Sequence, residues 1–128
     1  MRPILLSSLL LPALLMGQST PSRPQAELKI GTAIEKMDLQ GEATSFKVTD
    51  GTRIYAWTKV VGAADSTITV VFTKGDRTSK QALNVPRSPY RTNAYRTFRK
   101  GDEGSWTVKV LAADGTALGT AAFTADIE

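Results

Sequence analysis

The sequence contains no cysteine and no histidine. Without these residues the chain cannot form a disulfide, a Ser-His-Asp triad, a cysteine nucleophile, a thiolate or imidazole zinc site, or a covalent haem attachment. The Ser-x-x-Lys dyad and the glycine-rich phosphate loop are also missing from the sequence. We therefore expect no cofactor and no metal, and a folded domain whose stability comes from core packing alone.

The sequence also lacks a hydrophobic run of the roughly 20 residues that a membrane crossing takes. Its most apolar segment, Ile4–Met16, follows Arg2 and is interrupted only by two serines and a proline. A short basic start followed by such a run is typical of a signal peptide, so we predict cleavage after Ser19, with a weaker site after Gly17. The mature protein is then expected to be soluble in the periplasm or outside the cell, and to meet the membrane only during export.

The rest of the chain divides into a short spacer and one domain. Residues 20–25 are rich in proline and polar residues, which is typical of an extended spacer. Residues 26–128 have the length of one ordinary domain and, at about 100 residues, can bury somewhat over 60% of their unfolded surface. We therefore predict a signal peptide over 1–19, a spacer over 20–25 and a single domain over 26–128.

Apolar and polar residues alternate with a period of two through this domain, which indicates β-strands. The alternation is clearest in Arg53–Val61, Ser66–Thr73 and Ser105–Ala112, and shorter candidates lie at Glu27–Ala33, Ser45–Val48, Gln81–Val85 and Leu118–Ala125. Turns that contain glycine separate them, and only Ile34–Leu39 is compatible with a helical turn. Seven or eight short strands predict an all-β fold, an antiparallel immunoglobulin-like β-sandwich. Trp57 and Trp106 are expected to pack in its core.

A basic stretch between Arg87 and Lys100 holds five basic residues and no acidic one. If Pro89–Arg99 is a strand, Tyr90 and Phe98 face the core. The opposite face then carries the predicted binding row Arg91, Asn93, Tyr95, Thr97 and Arg99, with Arg87 and Lys100 near its ends. Guanidinium groups bind carboxylate, sulfate or phosphate, so we predict a non-enzymatic interaction module whose partner is an acidic envelope protein or an anionic polysaccharide. A nucleic-acid partner is not expected for an exported protein.

Other interpretations of these charges stay open. The basic side chains can simply keep an edge strand soluble and block edge-to-edge pairing. A carboxylate-dependent hydrolase of envelope polysaccharide needs two acids about 5 to 9.5 Å apart. Most acids here, among them Asp50, Asp76, Asp102, Glu103 and Asp114, stand beside glycine in predicted turns, where a carboxylate commonly bonds nearby backbone. Asp102 and Glu103 also lack the spacing of a calcium loop. A structural or assembly domain is the third alternative.

From about residue 41 to the C-terminus, the sequence resembles the bacterial domain-of-unknown-function family 2914. The segments that carry the resemblance are Phe46, Arg53–Val60, Tyr90-Arg91-Thr92, Gly104–Val108, Asp114-Gly115, Leu118-Gly119 and Phe123. The most specific element is the Tyr-Arg-Thr step followed about a dozen residues later by glycine, a spacer and tryptophan. The sequence departs from the family in Ile68–Phe72, which lacks a histidine and a tryptophan, and at Asn93-Ala94, which replaces a Trp-Ser step. The resemblance implies a small β domain of bacterial envelope or membrane proteins with no assigned activity.

Overall fold

The structure is a computed structural model that describes residues 23–128. This part of the chain is all β, as predicted, and consists of ten strands with no helix. The strands are β1 (Gln25–Gly31), β2 (Ala33–Glu35), β3 (Asp38–Gln40), β4 (Ser45–Val48), β5 (Thr52–Val61), β6 (Ser66–Lys74), β7 (Arg77–Val85), β8 (Tyr90–Phe98), β9 (Gly104–Leu111) and β10 (Ala117–Ile127). The predicted signal peptide lies outside the described residues. Nowhere in residues 23–128 is there a helix with the length and hydropathy needed to cross a membrane.

The strands form two larger sheets and one small hairpin. The three-stranded sheet has the order β1-β5-β8, the five-stranded sheet has the order β4-β10-β9-β6-β7, and β2 pairs only with β3. All pairs are antiparallel except β4 with β10, which is parallel, so the sheets are predominantly antiparallel, as predicted. The immunoglobulin-like arrangement stays a prediction.

The core lies between the two larger sheets and follows from the period-two alternation. On β5, the inward side chains of Ile54, Ala56, Thr58 and Val60 are completely buried. The ring of Phe98 on β8 lies edge-on to an aromatic ring from each of two strands of the other sheet, with centroids 5.1 Å from Trp106 and 5.7 Å from Phe123. Burying each such aromatic side chain contributes about 1.5–3 kcal/mol. The hydroxyl of buried Thr58 donates to the backbone carbonyl of Glu27, so this polar group keeps a partner.

Residues Ile34–Leu39, whose sequence is compatible with a helical turn, form most of the β2–β3 hairpin instead. Its two turn residues, Lys36 and Met37, have φ values of 50° and 69°, the left-handed backbone that two-residue hairpins need. Because neither residue is glycine, the sequence carries no ordinary signal for this turn. The hairpin covers Trp57, whose indole Nε1 donates to the carbonyl of Met37 at 2.8 Å. Trp57 is therefore buried on the opposite side of β5 from the main core cluster, whereas Trp106 lies within that cluster.

Candidate functional site

The predicted binding row lies mostly on β8, an edge strand of the three-stranded sheet. The antiparallel register places Arg91 opposite Lys59 and Tyr95 opposite Tyr55 on β5. Since cross-strand partners share a face, the row looks outward while Ala94 and the rest of the buried set look into the core. We call the solvent-facing side of this sheet the outer face; from β8 it carries Arg91, Asn93, Tyr95 and Thr97.

The remaining three predicted site residues lie beyond the two ends of β8. Arg87 precedes the strand, and its guanidinium carbon is 5.1 Å from the centre of the Tyr90 ring. Arg99 and Lys100 follow the strand, both exposed, in the turn that leads to β9. Arg91 and Arg99 are eight residues apart, or roughly 27 Å at the rise of a β-strand. The seven residues therefore form an elongated basic track along one strand and not a compact pocket.

Strand β5 adds functional groups that the sequence analysis did not assign to the site. The guanidinium carbon of Arg53 lies 4.3 Å from the centre of the Tyr95 ring. The Tyr55 and Tyr95 rings are 5.6 Å apart. A side-chain hydrogen bond with Tyr55 raises the pKa of Arg53 above its ordinary value, so this group stays cationic. The alternation of β5 shows its outward residues, but no pattern in the sequence reveals that β8 lies beside it.

A cleft of about 420 Å³ opens between the outer face and the β2–β3 hairpin. Its lining comes from β1, the hairpin and its exit, β5 and β8, and consists of Glu27, Lys29, Asp38, Leu39, Glu42, Trp57, Lys59 and Arg91. Two ion pairs lie in its walls: Arg91 Nη1 on β8 is 3.0 Å from Asp38 Oδ1 on β3, and Lys29 Nζ is 3.3 Å from Glu27 Oε2 within β1. In the described part of the chain, no carboxylate lies within 4 Å of the Lys59 ammonium. Lys59 therefore forms no ion pair in this range, although the register of β1 and β5 places Glu27 directly opposite it.

Arg96 also belongs to the basic stretch, but it takes no part in the outer face. It points inward, with its guanidinium carbon 4.7 Å from the centre of the Trp106 ring and its Nη2 3.3 Å from Asp102 Oδ1. The Asp102 carboxylate also accepts hydrogen bonds from Arg77 and from the backbone N–H of Arg99. Asp102 is only 7% exposed. The expectation that it is a plain turn residue is therefore too simple, because it also anchors two arginines beside the core.

The other turn acids behave more as expected. Asp114 accepts a hydrogen bond from the backbone N–H of Thr116, which lowers the pKa of Asp114, and Glu103 accepts one from the N–H of Gly101. Asp50 instead reaches across to the N–H of Lys100. Among residues 23–128, no group of three or more acidic side chains is arranged to hold a metal ion.

The family comparison agrees with the resemblance seen in the sequence. A family model described as "Protein of unknown function (DUF2914)" matches residues 65–125, which include β6 to β9 and most of β10. The match does not extend over residues 41–64, which contain β5 and its half of the outer face. A search of curated proteins gives no match. The resemblance to this family of unknown function is thus confirmed over residues 65–125.

Proposed function

We propose that this protein is a non-enzymatic binding module of the bacterial envelope that holds an anionic partner on its outer face. The observation that carries the proposal is the register of β5 and β8, which sets Lys59 opposite Arg91 and Tyr55 opposite Tyr95. One anionic group can bridge two cations held opposite each other, and it would compete with Asp38 for Arg91 and with Glu27, which lies opposite Lys59 on β1. Lys59 and Arg53 on β5, with Arg91 on β8, give the outer face three cations from two adjacent strands.

The chemistry of the outer face favours an extended ligand. The Arg91 side chain is 49% exposed and Tyr95 is 40% exposed, so both are open to a partner. Guanidinium groups donate paired hydrogen bonds to carboxylate, sulfate or phosphate. The two tyrosines offer an apolar ring with a polar tip, which suits a sugar or a peptide side chain. Since the basic track follows the whole length of β8, a polymer with repeated negative charges matches it better than a small molecule.

A direct test measures binding of the purified protein to polygalacturonate, an anionic polysaccharide, with neutral dextran as the ligand control. The Arg91→Ala/Tyr95→Ala/Arg99→Ala variant should bind the anionic polymer about tenfold more weakly or worse, because each charge-assisted bond contributes on the order of 1.5 kcal/mol. Binding should also weaken between about 0.01 M and 0.1 M salt, as the screening length falls from about 30 to 10 Å.

A matched variant separates the outer face from overall charge. Lys80→Ala/Lys109→Ala also removes two positive charges, but from the exposed side of the five-stranded sheet, where both lysines line another groove. It should bind the polymer nearly as well as the unaltered protein. Equal weakening by both variants would mean that net charge and not the outer face drives binding.

One observation favours a hydrolytic alternative: the three carboxylates of Glu27, Asp38 and Glu42 line a single cleft. Glycoside hydrolysis needs one of two acids to donate a proton, and the other to act as base or nucleophile. Glu27 and Asp38 each form an ion pair with a cation of the cleft, whereas Glu42 forms none among residues 23–128, so Glu42 is the carboxylate left to contact a substrate. Release of reducing ends from polygalacturonate would support this alternative over simple binding.

A further inference from the structure

Strand β8 ends its sheet with an unpaired edge. In the described part of the chain it pairs with β5 on one side and with no strand on the other. It is nine residues long and has no proline and no bulge against β5. Such an edge offers a row of free backbone donors and acceptors to another extended chain. Strand β7 also ends a sheet, but Arg77 at its start bends over to the carbonyl of Gly101 and to Asp102.

The backbone geometry shows which residues of β8 face that free edge. The pairing with β5 ends at Thr52 with Phe98, and Phe98 accepts a hydrogen bond from the N–H of Gly51 at 2.8 Å. Phe98 and its even-numbered neighbours therefore bond toward β5, since backbone groups alternate sides along a strand. The N–H of Arg99, an odd-numbered residue, points the other way and donates to Asp102.

The residues with free backbone groups are therefore the odd-numbered ones, Arg91, Asn93, Tyr95 and Thr97. The side chains of the same four residues lie on the outer face. A chain that pairs with this edge would gain main-chain hydrogen bonds and would also place every second side chain beside Arg91 and Tyr95. Edge and outer face thus form one continuous surface.

The charge of this surface selects the kind of chain. From Arg77 to Lys100 the sequence has seven basic residues and no acidic one. A second copy of β8 would bring the same positive charges and be repelled. An acidic strand would be attracted, and its carboxylates would meet the guanidinium groups at hydrogen-bonding distance.

We propose that the partner is a protein with an acidic extended segment that adds to β8 as a fourth strand of the sheet. This inference rests on the proposed function, because it uses the anion-binding outer face. Acidic residues at every second position of the segment lie on the outer face beside Arg91 and Tyr95, while Lys59 is one strand farther away on β5. The intervening residues face the rim of the core beside Thr92 and Ala94, so they must be small or uncharged.

The test uses a capped peptide of about seven residues that alternates glutamate and threonine, which is long enough to span the four free residues of β8. Two further peptides carry N-methyl groups, one on every glutamate and one on every threonine. Both keep the charge and side chains of the parent, but each loses one alternate set of backbone donors. Binding to the purified protein is measured by fluorescence anisotropy, with polygalacturonate in a parallel assay.

We expect the parent peptide to bind and one methylated peptide to lose at least about tenfold in affinity, while the other binds like the parent. Loss with methylated glutamates indicates antiparallel addition, and loss with methylated threonines indicates parallel addition. Equal binding of all three peptides would overturn strand addition and leave the anionic outer-face site intact. Binding of the polysaccharide but of no peptide would likewise overturn this inference alone. If no anionic ligand binds, the proposed function fails with it.

Discussion

Arg91 and Arg96 lie on the two faces of the same strand and have opposite environments. Arg96 is 21% exposed, stacks near Trp106 and pairs with a buried carboxylate. Arg91 is 49% exposed and pairs with Asp38, whose side chain is 64% exposed. A buried pair that loses one member leaves an uncompensated charge, whereas an exposed pair is screened by water. A basic run along a strand therefore contains two kinds of cation. Even-numbered residues of β8 such as Arg96 face the core and stabilise the fold, whereas odd-numbered ones such as Arg91 face outward and can contact a ligand.

Among the substitutions that distinguish the two faces of β8, Asp102→Ala is expected to lower the free energy of unfolding most. Without that carboxylate, Arg96 keeps its place beside the core but loses its counter-charge, and the N–H of Arg99 loses its acceptor. We expect the free energy of unfolding to fall by about 3 kcal/mol. The measurement is urea denaturation at neutral pH, followed by tryptophan fluorescence.

Asp76→Ala is the matched control for that substitution. It removes the same charge from an exposed turn acid, so stability should change by less than about 0.5 kcal/mol. A loss from Asp102→Ala no larger than that of the control would mean that Asp102 does not anchor the two arginines.

A second prediction applies one substitution to both faces of β8. Arg96→Met should lower the free energy of unfolding by about 1–2 kcal/mol, because it keeps apolar contact with Trp106 but removes one of the two cations on Asp102. Arg91→Met should change stability by less than about 0.5 kcal/mol, as is usual for exposed ion pairs. For binding of polygalacturonate the order should reverse, with a larger loss for Arg91→Met. If the two variants changed the free energy of unfolding equally and the affinity for polygalacturonate equally, the assignment of different roles to the two faces of β8 would be wrong.

Much of this division could be predicted from the sequence. The alternation of Tyr90, Ala94 and Phe98 fixes which side of β8 is buried, and thereby which side carries Arg91 and Tyr95. The same alternation indicates that Arg96 faces inward. The partner of Arg96 could not be identified from the sequence, because Asp102 and Arg77 come close to Arg96 only when a turn and the second sheet pack against β8. An acid next to a glycine turn gives no local sign that it is buried.

The residues that β5 and the β2–β3 hairpin contribute to the site could not be predicted from the sequence, for a different reason. Which strands become neighbours depends on long-range pairing, so the alignment of Lys59 with Arg91 leaves no trace in either segment. The β2–β3 turn uses non-glycine residues at positive φ, which the usual turn signals miss. The resulting contact between Asp38 and Arg91 joins residues 53 positions apart in the chain.

The smallest expected effect concerns that contact. Because Asp38 occupies Arg91, it competes with any anionic ligand for the same guanidinium group. Asp38→Asn removes the competing charge and should tighten binding of polygalacturonate about two- to fivefold, which corresponds to less than about 1 kcal/mol. Stability should change by less than about 0.5 kcal/mol.

The control for Asp38→Asn is Glu42→Gln, which removes one negative charge from the same cleft at a residue whose carboxylate has no cationic side chain within 4 Å among residues 23–128. If the Asp38 carboxylate restrains Arg91, Asp38→Asn must raise the affinity more than Glu42→Gln does. Equal gains would show that the cleft responds only to its total charge. In that case the ion pair with Arg91 holds the hairpin in place without regulating the outer face.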